Sequence, residues 1–332
     1  MVKATVIGWG SALAVALSLE AAPAKRKLPE PVRGVVLALH DVDPRRSYRA
    51  EVRELGDLGI NAVSIMPTWR MDHVRSARVE EGAATIAQIE ETLAAAREQG
   101  IAVLVAPVIQ ISHLQGDEWR GVIAPPDWDV WFASYQRQLL NLADVAEKHG
   151  AAALLVGSEL CSTEALEPRW RKLIAEVRAR FNGSLAYQTN WDHRSEPTFL
   201  DALDLLATNA YFELVPVAVQ ATTGELVRAW RPFQRDLLAW AALRGKPLLI
   251  TEVGYASVAG ATAYPWDYTR TAPIDLEEQA RGYDAFFAAW WDHRPGFFLY
   301  EWWGEGGPHD RGYTPRGKPA LGVLRHWLGA HR

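Results

Sequence analysis

The sequence predicts an α/β fold, a single (β/α)₈ barrel of the TIM type. Short apolar runs alternate with longer amphipathic segments about eight times between residues 34 and 328. Such alternation implies parallel strands joined by right-handed crossovers, and eight units in roughly 300 residues fit a closed barrel better than an open sheet. Neither GxGxxG nor GxxxxGK[ST] follows a predicted strand, so the patterns typical of nucleotide-binding open sheets are missing.

Each predicted strand is a short apolar run followed by polar residues, and most predicted helices are amphipathic segments that end near a glycine. The predicted strands are 34–39, 61–66, 101–106, 152–156, 184–189, 203–208, 247–251 and 296–300. The predicted helices are 46–58, 85–99, 127–148, 168–181, a short one near Pro197, 225–243 with a break or restart at Pro232, 275–291 and 318–328.

The N-terminus has the pattern of an export signal. Residues 1–24 combine a charged start, an apolar run and an Ala-x-Ala site, which is typical of a secretory signal cleaved after Ala24. An uncleaved anchor is the alternative, although the apolar run is short for a membrane span. Residues 25–33 are interpreted as a linker and 34–332 as the catalytic domain. We therefore expect a secreted or periplasmic protein without stable membrane insertion, unless the segment stays uncleaved.

Composition restricts the possible partners. The net charge of −5 and pI near 6.0 argue against nucleic acid, which usually requires a basic surface. The 15 tryptophans favour carbohydrate modestly, because most of them could be core. Cys161 is the one cysteine, so no intramolecular disulfide forms, and it reads as a buried apolar residue. No metal or cofactor is predicted, since the pair His40 and Asp41 offers too few ligands. The oligomeric state is left open.

Two predicted strands end in a glutamate. Glu159 follows the fourth strand and Glu252 follows the seventh. The carboxyl ends of all barrel strands face one mouth, where barrel enzymes carry their chemistry. Carboxyl groups about 5–5.5 Å apart support retaining glycoside hydrolysis, and a gap of roughly 6.5–9.5 Å supports inversion. The reaction needs one protonated and one ionised carboxyl group, which burial and neighbouring charge can provide.

Other polar and aromatic residues also fall at strand ends and are candidate substrate ligands. Trp69 and Arg70 end the second strand, and Glu301 could bind a sugar hydroxyl or pair with Arg70. Trp119 lies in a long loop and could line a distal subsite. Trp302 and Trp303 follow the eighth strand, and Trp303 is the alternative to Trp302 as the aromatic ring that faces the mouth.

Seven motifs occur along the predicted barrel. They are Trp119-Arg120-Gly121, Trp131-Phe132-Ala133-Ser134-Tyr135, Val156-Gly157-Ser158-Glu159-Leu160, Trp170-Arg171-Lys172-Leu173-Ile174, Thr189-Asn190-Trp191-Asp192, Asn209-Ala210-Tyr211-Phe212 and Thr251-Glu252-Val253-Gly254-Tyr255. Together these motifs resemble glycoside hydrolase family 113. The resemblance covers about residues 34–328 and implies a retaining (β/α)₈ enzyme with catalytic glutamates on strands four and seven and β-1,4-mannanase activity.

The resemblance also implies a role for each matched residue. Glu159 would be the general acid/base and Glu252 the nucleophile. Tyr211 would donate a hydrogen bond to the nucleophile, and Trp302 would form the floor of the subsite for the sugar being cleaved. The pair Asn190 and Trp191 would bind neighbouring hydroxyls.

Two positions depart from the family pattern. Ser158 stands where the related enzymes generally have an asparagine that contacts the sugar 2-hydroxyl, and 106–108 reads Ala-Pro-Val where Lys-Pro-His is common. These differences leave open a hydrolase or transglycosylase that acts on another β-glycan or an exopolysaccharide. A non-catalytic carbohydrate-binding barrel is a further alternative, disfavoured because both glutamates are present.

Overall fold

The computed structural model describes residues 24–193, 196–216 and 219–329, so the expected export signal lies outside the described residues except for Ala24. Eight parallel strands close into a barrel, because the first pairs with both the second and the last. This confirms the predicted (β/α)₈ fold. Two short strands, β3 and β5, pair with the last residues of β2. The strands are β1 (Arg33–Leu39), β2 (Ala62–Met71), β3 (Glu80–Glu81), β4 (Ala102–Val105), β5 (Val108–Ile111), β6 (Ala153–Ser158), β7 (Ser184–Thr189), β8 (Leu206–Asn209), β9 (Leu248–Val253) and β10 (Gly296–Trp302).

Helices follow seven of the eight barrel strands in the described chain. The crossover after β7 contains only a 3₁₀ helix, Thr198–Ala202, at the position of the short helix expected near Pro197. Pro232 lies within α5 and does not interrupt it, in contrast to the expected break. The helices are α1 (Arg49–Leu58), α2 (Ile86–Glu98), α3 (Trp128–Lys148), α4 (Glu167–Arg178), α5 (Thr223–Arg244), α6 (Leu276–Trp290) and α7 (Pro319–Gly329).

Alternation along the strands divides the core into two layers. In β7, Ala186 packs inside the barrel, whereas Leu185 and Tyr187 face the helices. Side chains that lie inside include the small residues Ala153 and Ala207. Small side chains suit the narrow interior of an eight-stranded barrel, and the larger ones fill the wider layer beneath the helices.

Two glycines allow close packing beside the predicted catalytic glutamates. A Cβ on Gly157 would lie 2.8 Å from the rings of Trp170 and Tyr187, which pack over the end of β6. A Cβ on Gly254 would lie 2.3 Å from the carbonyl oxygen of Tyr300, so β9 and β10 approach closely only because this side chain is absent. Glycine at both positions lets the strand ends converge around the mouth.

The segment 25–33, interpreted above as a linker, is packed against the barrel. Leu28 and Val32 are buried in the cluster that fills the barrel interior. Lys25 forms an ion pair with Asp204. The segment therefore covers the amino-terminal end of the barrel, opposite the mouth. In the described ranges, no helix combines the length and apolar character that crossing a bilayer requires.

Candidate active site

Glu159 and Glu252 meet at the mouth of the barrel, and both are buried, with 7% and 8% of their surface exposed. Gln188, near the end of β7, connects them. Its carbonyl oxygen accepts a hydrogen bond from the backbone N–H of Glu159 at 3.0 Å. Its side-chain amide donates to Oε1 of Glu252 at 3.0 Å. The ends of β6, β7 and β9 thus place the two carboxyl groups in one site.

Glu159 lies one residue beyond β6 and has a φ of 55°. This left-handed conformation is uncommon for a residue with a side chain and costs about 1–3 kcal/mol. The Arg120 guanidinium and the Asn209 side-chain amide both donate to the Glu159 carboxylate. These two donors stabilise the carboxylate at the position that the strained backbone gives it.

Both donors are themselves held in place. The Nε of Arg120 donates to the carbonyl oxygen of Ile109 at 3.1 Å. The amide of Asn209 also donates to Oδ1 of Asn190 at 2.9 Å, and its oxygen accepts from the backbone N–H of Trp191 at 2.7 Å. The ends of β7 and β8 are therefore joined by a network of amides that orients one hydrogen-bond donor towards Glu159.

Glu252, at the penultimate position of β9, has uncharged donors. The hydroxyl of Tyr211 donates to Oε2 at 2.8 Å, and Gln188 donates to Oε1. Burial, followed by the negative charge of Glu159, raises the pKa of Glu252 to about 7, although Gln188, Tyr211 and the Arg120 charge act in the opposite direction. The site therefore favours the protonated form of Glu252 more than water does.

Arg120 acts on both carboxyl groups. Burial opposes its charge, but the negative charges of Glu159 and Glu252 outweigh this effect and raise the pKa of Arg120. Its side chain is 32% exposed, so the residue lies at the rim of the site. A cation at this position compensates part of the repulsion between the two acids.

Three tyrosines form one wall of the site. The ring centroid of Tyr300 lies 6.1 Å from that of Tyr211 and 5.2 Å from that of Tyr313. Burial raises the pKa of all three phenols. The hydroxyl of Tyr211 therefore keeps its proton and acts as a donor to Glu252.

Trp69 and Trp302 were expected at the mouth, and the structure places both rings in the layer between strands and helices. Trp69 is 6% exposed and packs edge-to-face on Tyr135 of α3, with 5.3 Å between ring centroids. Trp302 is 4% exposed, and its indole N–H donates to Glu54 of α1 at 3.2 Å. A ring packed against helices on the outer face of a strand has no open face for a sugar.

Trp303 is the exposed ring at this strand end. It is 37% exposed and packs edge-to-face on His40, with 5.4 Å between centroids. Glu301 lies beside the same histidine, with 3.7 Å between its Oε2 and the His40 Nε2. Trp303 and Glu301 line a cavity of about 210 Å³ together with Ala256, Tyr268, Asp310, Arg311, Gly312, Tyr313 and Thr314. Because Tyr313 also belongs to the tyrosine wall, this cavity adjoins the carboxylate pair.

The remaining predicted residues lie at the rim or beneath it. Ser158 is buried, and its hydroxyl has no hydrogen-bond partner among the described residues. The half-buried ring of Trp119 covers Gly121, where a Cβ would lie 2.2 Å from it. Arg70 is exposed. Ser158 and Trp119 lie near the site because each directly precedes a site residue in the chain, Glu159 and Arg120 respectively.

Sequence reasoning placed Asn209 among the polar strand-end residues that face the mouth but gave it no role, and it did not single out Arg120 or Gln188 as site residues. Gln188 could have been found, because a polar residue at an inward-facing position of a buried strand needs a partner. Asn209 carried a similar signal at the end of β8. Arg120 comes from a loop without periodicity, and its contact with Glu159 depends on the tertiary structure.

Two clusters in the described part of the chain bring metal-ligating atoms together. They are Asp72, His73 and His113, and Cys161, Glu164 and His193. Neither cluster includes Glu159 or Glu252.

The family model described as Glycoside Hydrolase Family 113 matches residues 44–317 of the chain. Among solved structures, a GH113 β-mannanase from Alicyclobacillus acidocaldarius in complex with ManMIm is 28% identical, with a TM-score of 0.79 over 91% of this chain and 98% of that one. A second structure, a complex of a GH113 β-1,4-mannanase, is 23% identical with a TM-score of 0.80 over 91% of this chain and 100% of that one.

The curated relatives share only a segment with this chain. A uroporphyrinogen decarboxylase from Synechococcus sp. (strain JA-3-3Ab) is 32% identical over 84 residues. The match spans 23% of this chain and 23% of the length of that enzyme. A match over so small a part of both proteins carries no inference about activity.

Proposed function

Because the chain belongs to glycoside hydrolase family 113, we propose that it is a retaining β-glycoside hydrolase that cleaves β-1,4-mannan or a similar polymer by double displacement. Glu252 is the nucleophile and Glu159 the general acid/base. One observation carries this proposal: two buried carboxyl groups are joined through Gln188 yet have different donors. Distinct environments allow two carboxyl groups to perform different steps of one reaction.

In the first step Oε of Glu252 attacks the anomeric carbon, and the bond from that carbon to the leaving oxygen breaks. The leaving oxygen takes the proton of Glu159. In the second step water gives a proton to Glu159 and attacks the anomeric carbon, which releases Glu252 as a carboxylate. Tyr211 and Gln188 position the Glu252 oxygens and stabilise their negative charge before and after each step.

The first step needs an ionised Glu252 and a protonated Glu159. Burial and the negative charge of Glu159 raise the pKa of Glu252, which opposes its ionisation. In the free protein Arg120 donates a hydrogen bond to Glu159, so this contact has to break before Glu159 donates a proton to the leaving oxygen. The position of Arg120 at the solvent-exposed rim is compatible with such a movement.

The substrate and stereochemistry can be tested together. Purified protein is incubated with β-linked mannan, glucan and galactan, and the products are analysed by mass and by NMR of the newly formed anomeric centre. We expect mannan oligosaccharides with the β configuration retained. Products of α configuration would exclude double displacement. Preference for another polymer would reassign the substrate, and binding of oligosaccharide without turnover would favour the non-catalytic alternative.

We also propose that residues 1–24 direct export and are removed after Ala24. The support is the charged start, apolar run and Ala-x-Ala site of the sequence. Expression in a bacterial host, fractionation and sequencing of the N-terminus would test this. A secreted or periplasmic product that begins at Lys25 is expected. An intact N-terminus in the membrane fraction would indicate an anchor, and one in the cytoplasm would contradict export.

A further inference from the structure

A second cluster of reactive side chains lies outside the carboxylate pair, where the loops after β6 and β7 meet. Cys161 and Glu164 belong to the turn that follows Glu159, and His193 follows the Asn190-Trp191 segment. One ligand atom from each residue, a sulfur, a carboxylate oxygen and an imidazole nitrogen, lies within 4.8 Å of the other two. The fold thus brings residues from two loops together in a cluster that does not include the carboxylate pair.

Glu164 is fixed in a way that leaves one oxygen directed at this cluster. Its side chain is only 5% exposed. Oε1 accepts a hydrogen bond from the hydroxyl of Tyr187 at 2.8 Å, and that hydroxyl accepts one from the backbone N–H of Leu160 at 3.0 Å. Oε2 is buried and is paired with Nε2 of His193 at 2.9 Å. The two facing atoms of this pair are both of metal-ligand type, so a divalent ion bound between them would replace their direct contact.

We propose that Cys161, Glu164 and His193 form a binding site for Zn²⁺ or a similar thiophilic divalent ion. Sulfur, imidazole nitrogen and carboxylate oxygen are the donors that Zn²⁺ prefers, and three of them with one position left for water is a common arrangement. Bonds of about 2.0–2.3 Å place tetrahedral ligands roughly 3.3–3.7 Å apart, so separations within 4.8 Å have to change by no more than about 1–1.5 Å. The thiol releases its proton to solvent as the metal–sulfur bond forms.

The surroundings favour a dication in two ways. Tyr187 supplies the second-sphere hydrogen bond that orients a ligating carboxylate. The carboxyl groups of Glu164, Glu159 and Asp192 lie close enough to the Cys161 thiol to act on its charge. Negative charges at this position attract a divalent cation, which then stabilises the thiolate.

The other cluster, at the rim, is less suited. Asp72, His73 and His113 are all exposed. Asp72 already pairs with both imidazoles, at 2.7 Å to Nδ1 of His113 and 3.1 Å to Nε2 of His73. This cluster contains no sulfur donor, so it serves as an internal control.

Titration of the full chain with Co²⁺, a spectroscopic substitute for Zn²⁺, tests the proposal. Because Cys161 is the one cysteine, a sulfur-to-cobalt charge-transfer band in the near ultraviolet can come only from this site. We expect such a band to saturate at one equivalent and to disappear when Zn²⁺ is added. Cys161→Ser should abolish the band. Tyr187→Phe keeps all three ligands and should weaken Co²⁺ binding about 10–100-fold.

Two further variants distinguish this site from the rim cluster. Glu164→Gln and His193→Gln keep the thiol and should each weaken binding at least about tenfold, whereas His113→Asn should leave the band unchanged. Circular dichroism without metal confirms that each variant is folded. Absence of the band at saturating Co²⁺, or binding that His113→Asn abolishes and Glu164→Gln does not affect, would overturn the proposal. The measurement needs no substrate, so its outcome is independent of the proposed hydrolysis.

Discussion

Glu159 and Glu252 lie in the same barrel mouth but differ in the charge of their partners. Glu159 accepts from a guanidinium and an amide, whereas Glu252 accepts from an amide and a phenol. Gln188 contacts both residues, so the difference does not come from separate cavities. It comes from one rim residue, Arg120, which donates a hydrogen bond to Glu159 while its charge also acts on Glu252. The comparison shows how one cation can make two similarly buried acids unequal.

The backbone adds a second difference. Glu252 is part of β9 and is paired with Asn209 of β8, across a register shift between Thr208 and Asn209. Glu159 lies one residue beyond β6 in a left-handed conformation, and the pairing of β6 with β7 also shifts register, between Leu155 and Ser158. Both strand ends are therefore irregular, but only the proposed acid/base depends on a residue in a strained conformation and on the side chains that hold it.

Replacement of each glutamate by alanine should separate the two roles most strongly. Glu252→Ala removes the attacking atom, so turnover should fall on the order of 10⁵-fold for every substrate. Glu159→Ala removes a proton donor, so hydrolysis should fall about 10²–10⁴-fold for poor leaving groups. With an activated aryl glycoside, whose leaving group needs no proton, glycosylation of Glu252 should be far less affected. Steady-state and burst kinetics on both substrate types measure this contrast.

Azide provides the control for that contrast. Added to Glu252→Ala, it should replace the nucleophile and give a glycosyl azide of inverted configuration. Added to Glu159→Ala, it should attack the glycosyl-enzyme and give a product of retained configuration. Glu147→Gln, a half-buried acid on α3 remote from the mouth, should keep wild-type rates. The same azide configuration from both alanine variants would contradict the assigned roles.

Removal of the cation tests the next largest effect. Arg120→Met leaves the two carboxyl groups without a compensating charge, and loss of such an electrostatic contact costs about 10²–10³ in rate. Because the Arg120 charge lowers the pKa of Glu252, its removal should raise that pKa further and move the pH–rate profile to higher pH. Arg120→Lys keeps the charge but loses the planar fork, so it should lower the rate with little shift in pH. A shift to lower pH in Arg120→Met would contradict the electrostatic role.

The raised pKa of Glu252 also predicts a change in stability with pH. The group binds its proton more tightly in the folded state, with a pKa of about 7, than in the unfolded chain, where 4.5 is ordinary. Its stabilising contribution is therefore complete below pH 4.5 and is lost as the pH rises towards 7, by up to about 3 kcal/mol. Glu252→Gln should remove this dependence.

Urea denaturation of wild type and Glu252→Gln at several pH values between 4.5 and 8 measures this dependence. The stability of wild type relative to the variant should decline as the pH rises. Taking the difference between the two proteins cancels the titration of groups remote from the site. A constant difference across this range would mean that the pKa of Glu252 is not raised in the folded protein.

The fold and the paired glutamates could be predicted because they follow from local patterns. The run 152–156 predicts a strand, and β6 spans Ala153–Ser158. A short apolar run bounded by glycine and polar residues is typical of a buried strand. The orientation of rings at strand ends could not be predicted in the same way. Pairing of β10 shifts register on both sides, between Phe297 and Leu299 with β9 and between Val35 and Leu37 with β1, so alternation no longer fixes which face Trp302 occupies.

Site residues contributed by loops could not be predicted from the sequence either. The loop that carries Arg120 shows no periodicity, and its contact with Glu159 spans 39 positions in sequence. Only the folded chain brings these residues together. Gln188 is a different case, because the alternation of β7 already places it on the inward face beside Ala186. Inward polar residues of barrel strands are thus a predictable class of site residue, and loop cations are not.

The smallest expected effect separates the two rings that end β10. Trp303→Ala removes an exposed ring beside the cavity that Glu301 lines. Loss of one sugar-stacking contact should raise KM about three- to tenfold and leave kcat nearly unchanged, because the contact is made equally in the bound substrate and the transition state. Trp302→Phe removes the hydrogen bond to Glu54 and part of the packing against α1. It should lower the free energy of unfolding by about 1–2 kcal/mol and change KM little. Steady-state kinetics and urea denaturation of both variants distinguish the two effects, and an increase in KM confined to Trp302→Phe would return that ring to the substrate-binding surface.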